Sequence, residues 1–242
     1  MNLRYTVTHL IAAVAFTLAA GGGNAQETEG VFQVGDAAIR VPTPQGFSET
    51  SRRSKGLWEL ALSYAAGDAR IIGHFVTEED LVAFESGDAV TFKEFLFLQT
   101  PRRTMALTAT QAQFDKLRST TAALQADLAR RIEPRLAAEL EKVFKALSSA
   151  EGVDIELRVG EVVPVSVDRN DARVLIFTML GEAGVVERGS STYQNMVATT
   201  AYCFVAGKVI ILTVYRHFRS PRDLHLSRIF MNSWADTVLS AN

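Results

Sequence analysis

Two runs late in the chain, Asn195–Val205 and Lys208–Phe218, are dense in β-branched and aromatic side chains and are separated only by Ala206-Gly207. That composition suits pleated strands joined by a tight turn. In the second run Val209, Ile211 and Tyr215 fall on one side and Ile210, Leu212 and Val214 on the other, because successive strand residues point to opposite faces. Both sides are apolar, so the hairpin predicts a sheet that is covered above and below.

Earlier stretches supply further strands. Phe32–Val34 and Ala37–Val41 flank Gly35-Asp36 and predict a first hairpin, stopped by Pro42-Thr43-Pro44-Gln45-Gly46. Arg70–Val76 and Phe92–Gln99 read as strands, the second ended by Pro101. Between them Thr77 opens a short helix whose Glu78, Glu79 and Asp80 suit the positive end of a helix dipole better than a metal site. Val153–Val159 alternates apolar and polar residues, which predicts a strand with one wet face. Glu161–Asp168 and Ala172–Leu180 predict a hairpin across Arg169-Asn170-Asp171, with Pro164 placing its first strand at a sheet edge. Asp168-x-Asn170-Asp171 lacks the glycine and closing glutamate of a calcium loop and is taken as a turn. Gly181–Thr192 reads as a mobile connection.

Three helices carry a period near 3.6. Leu57, Trp58, Leu60, Ala61 and Tyr64 predict a short helix over Leu57–Ala66, before Gly67. The longest element, Thr108–Ser149, begins at an expected Thr108/Gln111 capping box and carries Phe114, Leu117, Thr121, Leu124, Leu128, Ile132, Leu136, Leu140, Val143 and Leu147 in steps of three and four. Its pattern stays in phase across Pro134, where a lost hydrogen bond predicts a kink near Arg130–Arg131. At about 1.5 Å per residue such a helix spans roughly 60 Å, longer than the roughly 45 Å width of a globule of this size. It therefore wraps or protrudes. Ser220-Pro221-Arg222-Asp223 opens the last helix, in which Leu226, Phe230, Trp234 and Val238 make an apolar stripe for docking on the sheet.

The fold class that follows is α+β: a mainly antiparallel sheet flanked by helices on both faces, with one long kinked helix. A chain of 242 residues is long enough for one well-buried domain, here residues 26–242. The net charge of -2 argues against a nucleic-acid partner, which calls for a basic excess.

Before that domain, Met1–His9 carries Arg4, Leu10–Ala20 is a short apolar run, and Gly21-Gly22-Gly23-Asn24-Ala25 ends in a small-x-small pattern. This is the anatomy of a signal peptide, residues 1–25, with cleavage expected between Ala25 and Gln26. The apolar run falls well short of the about 20 residues a spanning helix needs, so a periplasmic or secreted protein without a membrane span is expected. Cys203 is the only cysteine, which leaves no intramolecular disulfide and suggests a packed small hydrophobe in mid-strand.

No nucleophile elbow, zinc-protease helix, Walker loop or paired Cys-x-x-Cys is present. No cofactor is implied. His74, within an apolar strand, reads as a satisfied structural histidine. The one clustering of chemistry is Arg216, His217, Arg219, Arg222, His225 and Arg228 around the start of the last helix. Cations at a helix N-terminus suit a phosphate, a carboxylate or an acidic partner.

The phrase Ile39-Arg40-Val41-Pro42 followed by Gly46-Phe47, the long mid-chain helix, and the closing strand pair with its Trp234-bearing helix resemble secreted bacterial proteins. Their layout is similar to the PsbP and Mog1-like sandwich. The resemblance lies in the order of elements over most of the mature chain, and it implies an antiparallel sheet between helices and a role in binding or assisting partners, without shared catalytic residues. The leading functional expectation is a non-enzymatic binding or assembly factor acting on an unknown protein or an anionic small molecule. The alternatives are a hydrolase-like enzyme whose site forms only in three dimensions, and an envelope protein that oligomerises through the long helix.

Overall fold

The computed structural model describes residues 30–63, 68–88, 90–148, 163–187 and 190–242, and their side chains except at 131–148 and 182–194. The expected signal peptide, residues 1–25, and the expected strand Val153–Val159 lie outside the described residues. In chain order the elements are β1 (Val31–Val34), β2 (Ala37–Arg40), β3 (Phe47–Glu49), α1 (Lys55–Ser63), β4 (Ala69–Thr77), α2 (Glu78–Glu85), β5 (Glu94–Pro101), α3 (Gln111–Ser148), β6 (Val163–Asp171), β7 (Val174–Glu187), β8 (Ser190–Val205), β9 (Lys208–His217) and α4 (Pro221–Ser240). No helix of the described residues is long and apolar enough to cross a membrane.

Seven strands form an antiparallel sheet in the order β3-β4-β5-β9-β8-β7-β6, and β1 and β2 form a separate hairpin. The late hairpin sits inside this sheet, with β9 bonded to β5 on one side and β8 on the other. Its turn joins Val205 to Lys208 through Ala206 (φ 49°) and Gly207 (φ 72°). Positive φ at both turn positions gives the twist that matches right-handed strands. Pro164 lies on β6, an edge strand, as its missing N–H requires.

The two faces of β9 are covered unequally. Ile210, Leu212 and Val214 are fully buried, whereas Val209, Ile211 and Tyr215 are half-buried. On the first face Met231, Trp234, Ala235 and Val238 of α4 pack with Phe75, Leu96, Leu98, Ile176, Ala201 and Cys203, and the β1–β2 hairpin adds Phe32, Val34 and Ile39. Each fully buried Val, Leu, Ile, Phe or Met side chain among them contributes about 1.5–3 kcal/mol. The Trp234 ring meets Phe75 edge-on with centroids 5.6 Å apart, and its Nε1 donates to the Pro42 carbonyl at 3.1 Å. On the opposite face Trp58 and Ala61 of α1 pack on Ile71, Phe97 and Tyr215, while Phe114 of α3 stacks on Phe204 at 5.3 Å.

Four local expectations are corrected. The capping box of α3 is Thr110/Gln113: the Thr110 amide donates to Gln113 Oε1 at 2.8 Å, and the Gln113 amide to Thr110 Oγ1 at 3.3 Å. Thr108 instead lies against Gly207, where an added Cβ would come 2.7 Å from its Cγ2. The β6–β7 turn is Ala172-Arg173, because Asp171 Oδ1 accepts from the amides of Arg173 (3.0 Å) and Val174 (3.1 Å) and so closes the strand pair beyond the expected turn. Within Gly181–Thr192 the described residues, 181–187 and 190–192, are strand: β7 and β8 pair from Val174↔Cys203 out to Glu187↔Ser190. Since β6 reaches only Leu180 and β9 only Met196, this end projects past its neighbours as a two-stranded ribbon among the described residues. Finally, the buried face of α4 centres on Ser227, Met231, Trp234, Ala235 and Val238. A stripe at intervals of four drifts about 40° per step on a helix of 3.6 residues per turn, which rotates Leu226 and Phe230 to the flank. The long helix is present, continuous through Pro134; the kink expected near Arg130–Arg131 stands at the edge of its described side chains and is left as an expectation.

Candidate functional site

The six cationic residues singled out in the sequence divide into two sets. Arg216 alternates in phase with Ile210, Leu212 and Val214 and stands opposite Glu94 of β5 in the ladder. Its Nε and Nη2 both reach Glu94 Oε1, at 3.0 and 2.5 Å, and the pair is largely buried. Arg228, two turns into α4, donates from Nη2 to Ser166 Oγ at 2.6 Å, and its Nε lies 3.0 Å from Asp168 Oδ1 in an approach too oblique for a hydrogen bond. Both arginines are therefore held in pairs within the fold.

The second set lies where β9 runs into α4. The His217 amide donates to the Lys93 carbonyl at 2.8 Å, which brings a cation absent from the sequence reading to this corner. Burial, with the charges of Arg219 and Lys93 against only Asp223 in its favour, holds the His217 imidazole below its ordinary range. Arg219 is 66 % exposed and its Nη2 lies 3.6 Å from Asp223 Oδ1. Arg222 and His225 are exposed on the first turns of α4, three residues apart and so on adjoining positions of the helix surface. Lys93 is exposed as well.

The helix end beneath these cations is already capped by the chain itself. Asp223 is 5 % exposed, and its Oδ2 accepts from the amides of Arg219 (3.0 Å) and Ser220 (2.9 Å). A carboxylate here satisfies donors that a helix start would otherwise leave free and complements the dipole. An anionic partner thus meets side-chain cations at the rim rather than the bare helix end.

Two further polar groupings converge only in three dimensions. Between β6, β7, β8 and α4, Asp168 Oδ1 accepts from Ser166 Oγ at 2.6 Å and Oδ2 from Thr178 Oγ1 at 2.5 Å. From Thr178 a chain of hydroxyls continues to Thr199 at 3.1 Å and Ser227 at 2.8 Å. At the other end of the sheet, Ser48 of β3 donates to Glu78 and accepts from Arg53. The Ser48 hydroxyl, helped by the Arg53 charge, holds the Glu78 carboxyl below its usual range. Beside it His74 Nδ1 lies 3.0 Å from Thr50 Oγ1, and burial lowers its imidazole to about 4. The satisfied structural histidine expected from the sequence is what the strand holds. No sequence signal marked either grouping, because their members come from separate elements with no fixed spacing.

Glu78, Glu79 and Asp80 form the acidic first turn of α2, with Thr77 Oγ1 accepting from the Asp80 amide at 3.1 Å. Among the described residues no three His, Cys, Asp or Glu side chains are placed to share a metal ion. Cys203 is fully buried, and burial pushes its thiol up to about 12, so it packs as a small hydrophobe and is not a thiolate at neutral pH. On the long helix Leu117 and Leu124 are 37 % and 54 % exposed. A broad depression is lined by Pro42, Ser233, Asp236, Thr237 and Ser240. Compared with protein-family models, with curated proteins and with solved structures, the chain matches none.

Proposed function

We propose that this chain is an exported binding or assembly factor that engages an anionic partner, an acidic protein surface or a small anion, through the cationic corner where β9 meets α4. The observation that carries the reading is that Lys93, Arg219, Arg222 and His225 stand exposed around one helix start, close enough that Arg219 and Lys93 disfavour a charge on His217. Like charges gathered without full neutralisation raise the local concentration of anions and steer their approach. The PsbP-like order of elements seen in the sequence fits a role in assisting partners, and the segment preceding Gln26 has the form of an export signal.

The test uses the mature chain with two probes, an oligoglutamate peptide and inorganic phosphate, titrated at low and at moderate salt. Binding weakened at least tenfold in Arg219→Glu/Arg222→Glu, with a shallower salt dependence than wild type, supports the reading. No binding of either probe by wild type, or equal binding by the variant, overturns it. A preference for the peptide over phosphate identifies an acidic protein surface as the partner.

A second reading rests on Leu117 and Leu124, exposed seven residues apart on one side of α3. That spacing is one heptad and suits self-association along the helix. Under it Leu124→Glu shifts the protein to a later elution volume in size exclusion. An unchanged volume removes it.

A further inference from the structure

His74 connects three parts of the sheet edge formed by β3 and β4. Its ring is 5 % exposed, tilted 31° to Phe97 at a centroid distance of 5.0 Å and lying 6.3 Å from Phe95. Its Nδ1 meets Thr50 Oγ1 at 3.0 Å, and its carbonyl accepts from the Thr50 amide at 2.8 Å. Thr50 in turn builds the lead-in to α1: its carbonyl accepts from the amides of Arg53 (3.2 Å) and Ser54 (2.9 Å), and the Ser54 carbonyl accepts from Trp58 at 2.9 Å. Through its ring and its backbone carbonyl, His74 therefore holds the turn from which α1 starts.

The surroundings suit only a neutral ring. From β5 it faces Phe95 and Phe97. Tyr215 of β9 and Trp58 and Ala61 of α1 belong to the same packed cluster as Phe97. The charged groups nearby are Glu49, Arg52 and Arg53 on the 48–54 segment, Arg52 being exposed, and Glu78 on α2. Glu49 accepts from the Ser51 amide and hydroxyl, both at 2.9 Å, and Arg53 pairs with Glu78 at 3.2 Å. Among the described residues no carboxylate contacts the ring to compensate a gained proton. A charge placed in such a setting must find solvent or neutralise.

We propose that His74 is an acid-released latch: on gaining a proton its ring leaves the aromatic enclosure, and the Thr50–Ser54 turn and α1 lift from β4 while the α4 side of the sheet stays folded. The opening uncovers Ile71, Phe97 and Tyr215. The latch is independent of the cationic corner. A ring held at about 4 against an ordinary 6.5 is a base with a depressed folded value. Closure is thus complete above 6.5 and weakens as pH falls from there, by about 150-fold in the closed-to-open ratio at pH 4 and towards a limit of about 300-fold below it.

Segment-resolved hydrogen exchange of the mature chain between pH 7.5 and 4, corrected for intrinsic rates, tests it alongside an NMR titration of the His74 ring. Protection over residues 55–63 is expected to fall by about 150-fold across that window while α4 is unchanged. His74→Asn and His74→Phe should remove the acid response. The latch is overturned by an equal response in either variant, by α4 losing protection in step with α1, or by the ring titrating at its ordinary 6.5. Should neither variant fold, the wild-type ring titration and the α1-against-α4 comparison decide it on their own.

Discussion

Asn242 holds both backbone groups of Arg40: its Oδ1 accepts from the Arg40 amide at 2.9 Å and its Nδ2 donates to the Arg40 carbonyl at 2.7 Å. Arg40 stands opposite Val31 in the β1–β2 hairpin, yet these two groups point away from β1. The side-chain amide takes the place that another strand would fill along the outer edge of β2. A further bond from Nδ2 to the Val238 carbonyl at 2.8 Å fixes it to the end of α4. A small two-stranded ribbon is marginal by itself, so this clamp helps hold β2 over the core. Asn242→Ala should cost about 1 kcal/mol, seen as a lower urea midpoint at unchanged slope and faster hydrogen exchange of the Arg40 amide.

Two glycines separate backbone strain from crowding. Gly35 (φ 62°) turns β1 into β2, and a Cβ there would lie 2.3 Å from the Met105 carbonyl oxygen, which belongs to the backbone and cannot swing away. Gly46 (φ 83°) has nothing within 4 Å of the same position. Alanine at either site bears the left-handed penalty of about 1–2 kcal/mol. Gly35→Ala adds an overpacking cost of about 1–3 kcal/mol, so urea denaturation should find it the worse of the two by that margin. Equal losses would mean that the 102–109 segment yields freely.

The contrast between β8–β9 and Gly181–Thr192 tells how far the sequence could be read. The hairpin at Ala206-Gly207 was legible because its turn chemistry and alternation are local. Gly181–Thr192 was expected to be a connection, although Val185, Val186 and Thr192 are strand formers, and they pair with one another's strand, Val185 opposite Thr192 and Val186 opposite Ser191. The capping box of α3 was expected at Thr108/Gln111; it forms at Thr110/Gln113, while Thr108 lies against Gly207. For the candidate site, proximity in sequence gathered six cations. It could not show that Glu94 on β5 takes Arg216, that Asp168 on β6 lies against Arg228, or that Lys93 joins the remainder. Register across the sheet decides those pairings, and no spacing encodes it.

Lys208 is buried to 2 %, with its Nζ 2.6 Å from Asp36 Oδ1 and donating to the Leu107 carbonyl at 2.9 Å. It thereby joins the β8–β9 turn, the first hairpin and the lead-in to α3. The bond from Lys208, with the Asp36 amide and the Lys208 charge, lowers the Asp36 carboxyl from its ordinary 3.8. A depressed carboxyl stabilises the fold above its unfolded value, and that contribution is lost as pH falls through the folded one. Asp36→Asn should therefore lose less stability than wild type between pH 5 and pH 2 in urea titrations. Lys208→Met keeps the stem and should cost about 1 kcal/mol for the Leu107 carbonyl left unpaired. Lys208→Ala opens a void and should cost about 2 kcal/mol or more.

The Thr199–Ser227 bond belongs to a chain of fixed direction. Asp168 accepts from Thr178, which spends its single proton there and must accept from Thr199 at 3.1 Å. Thr199 in turn accepts from Ser227 at 2.8 Å. All three hydroxyl residues are fully buried, so a gap cannot be filled cheaply by water. Thr199→Val, matched in shape, leaves Thr178 without a donor and Ser227 without an acceptor, and should cost about 2–3 kcal/mol. Ser227→Ala removes only the terminal donor and should cost about 1 kcal/mol. Members of one network do not add, so the double variant should be little worse than Thr199→Val alone. Strictly additive losses in urea denaturation would mean that the hydroxyls act separately, and that apolar packing alone docks α4 on the sheet.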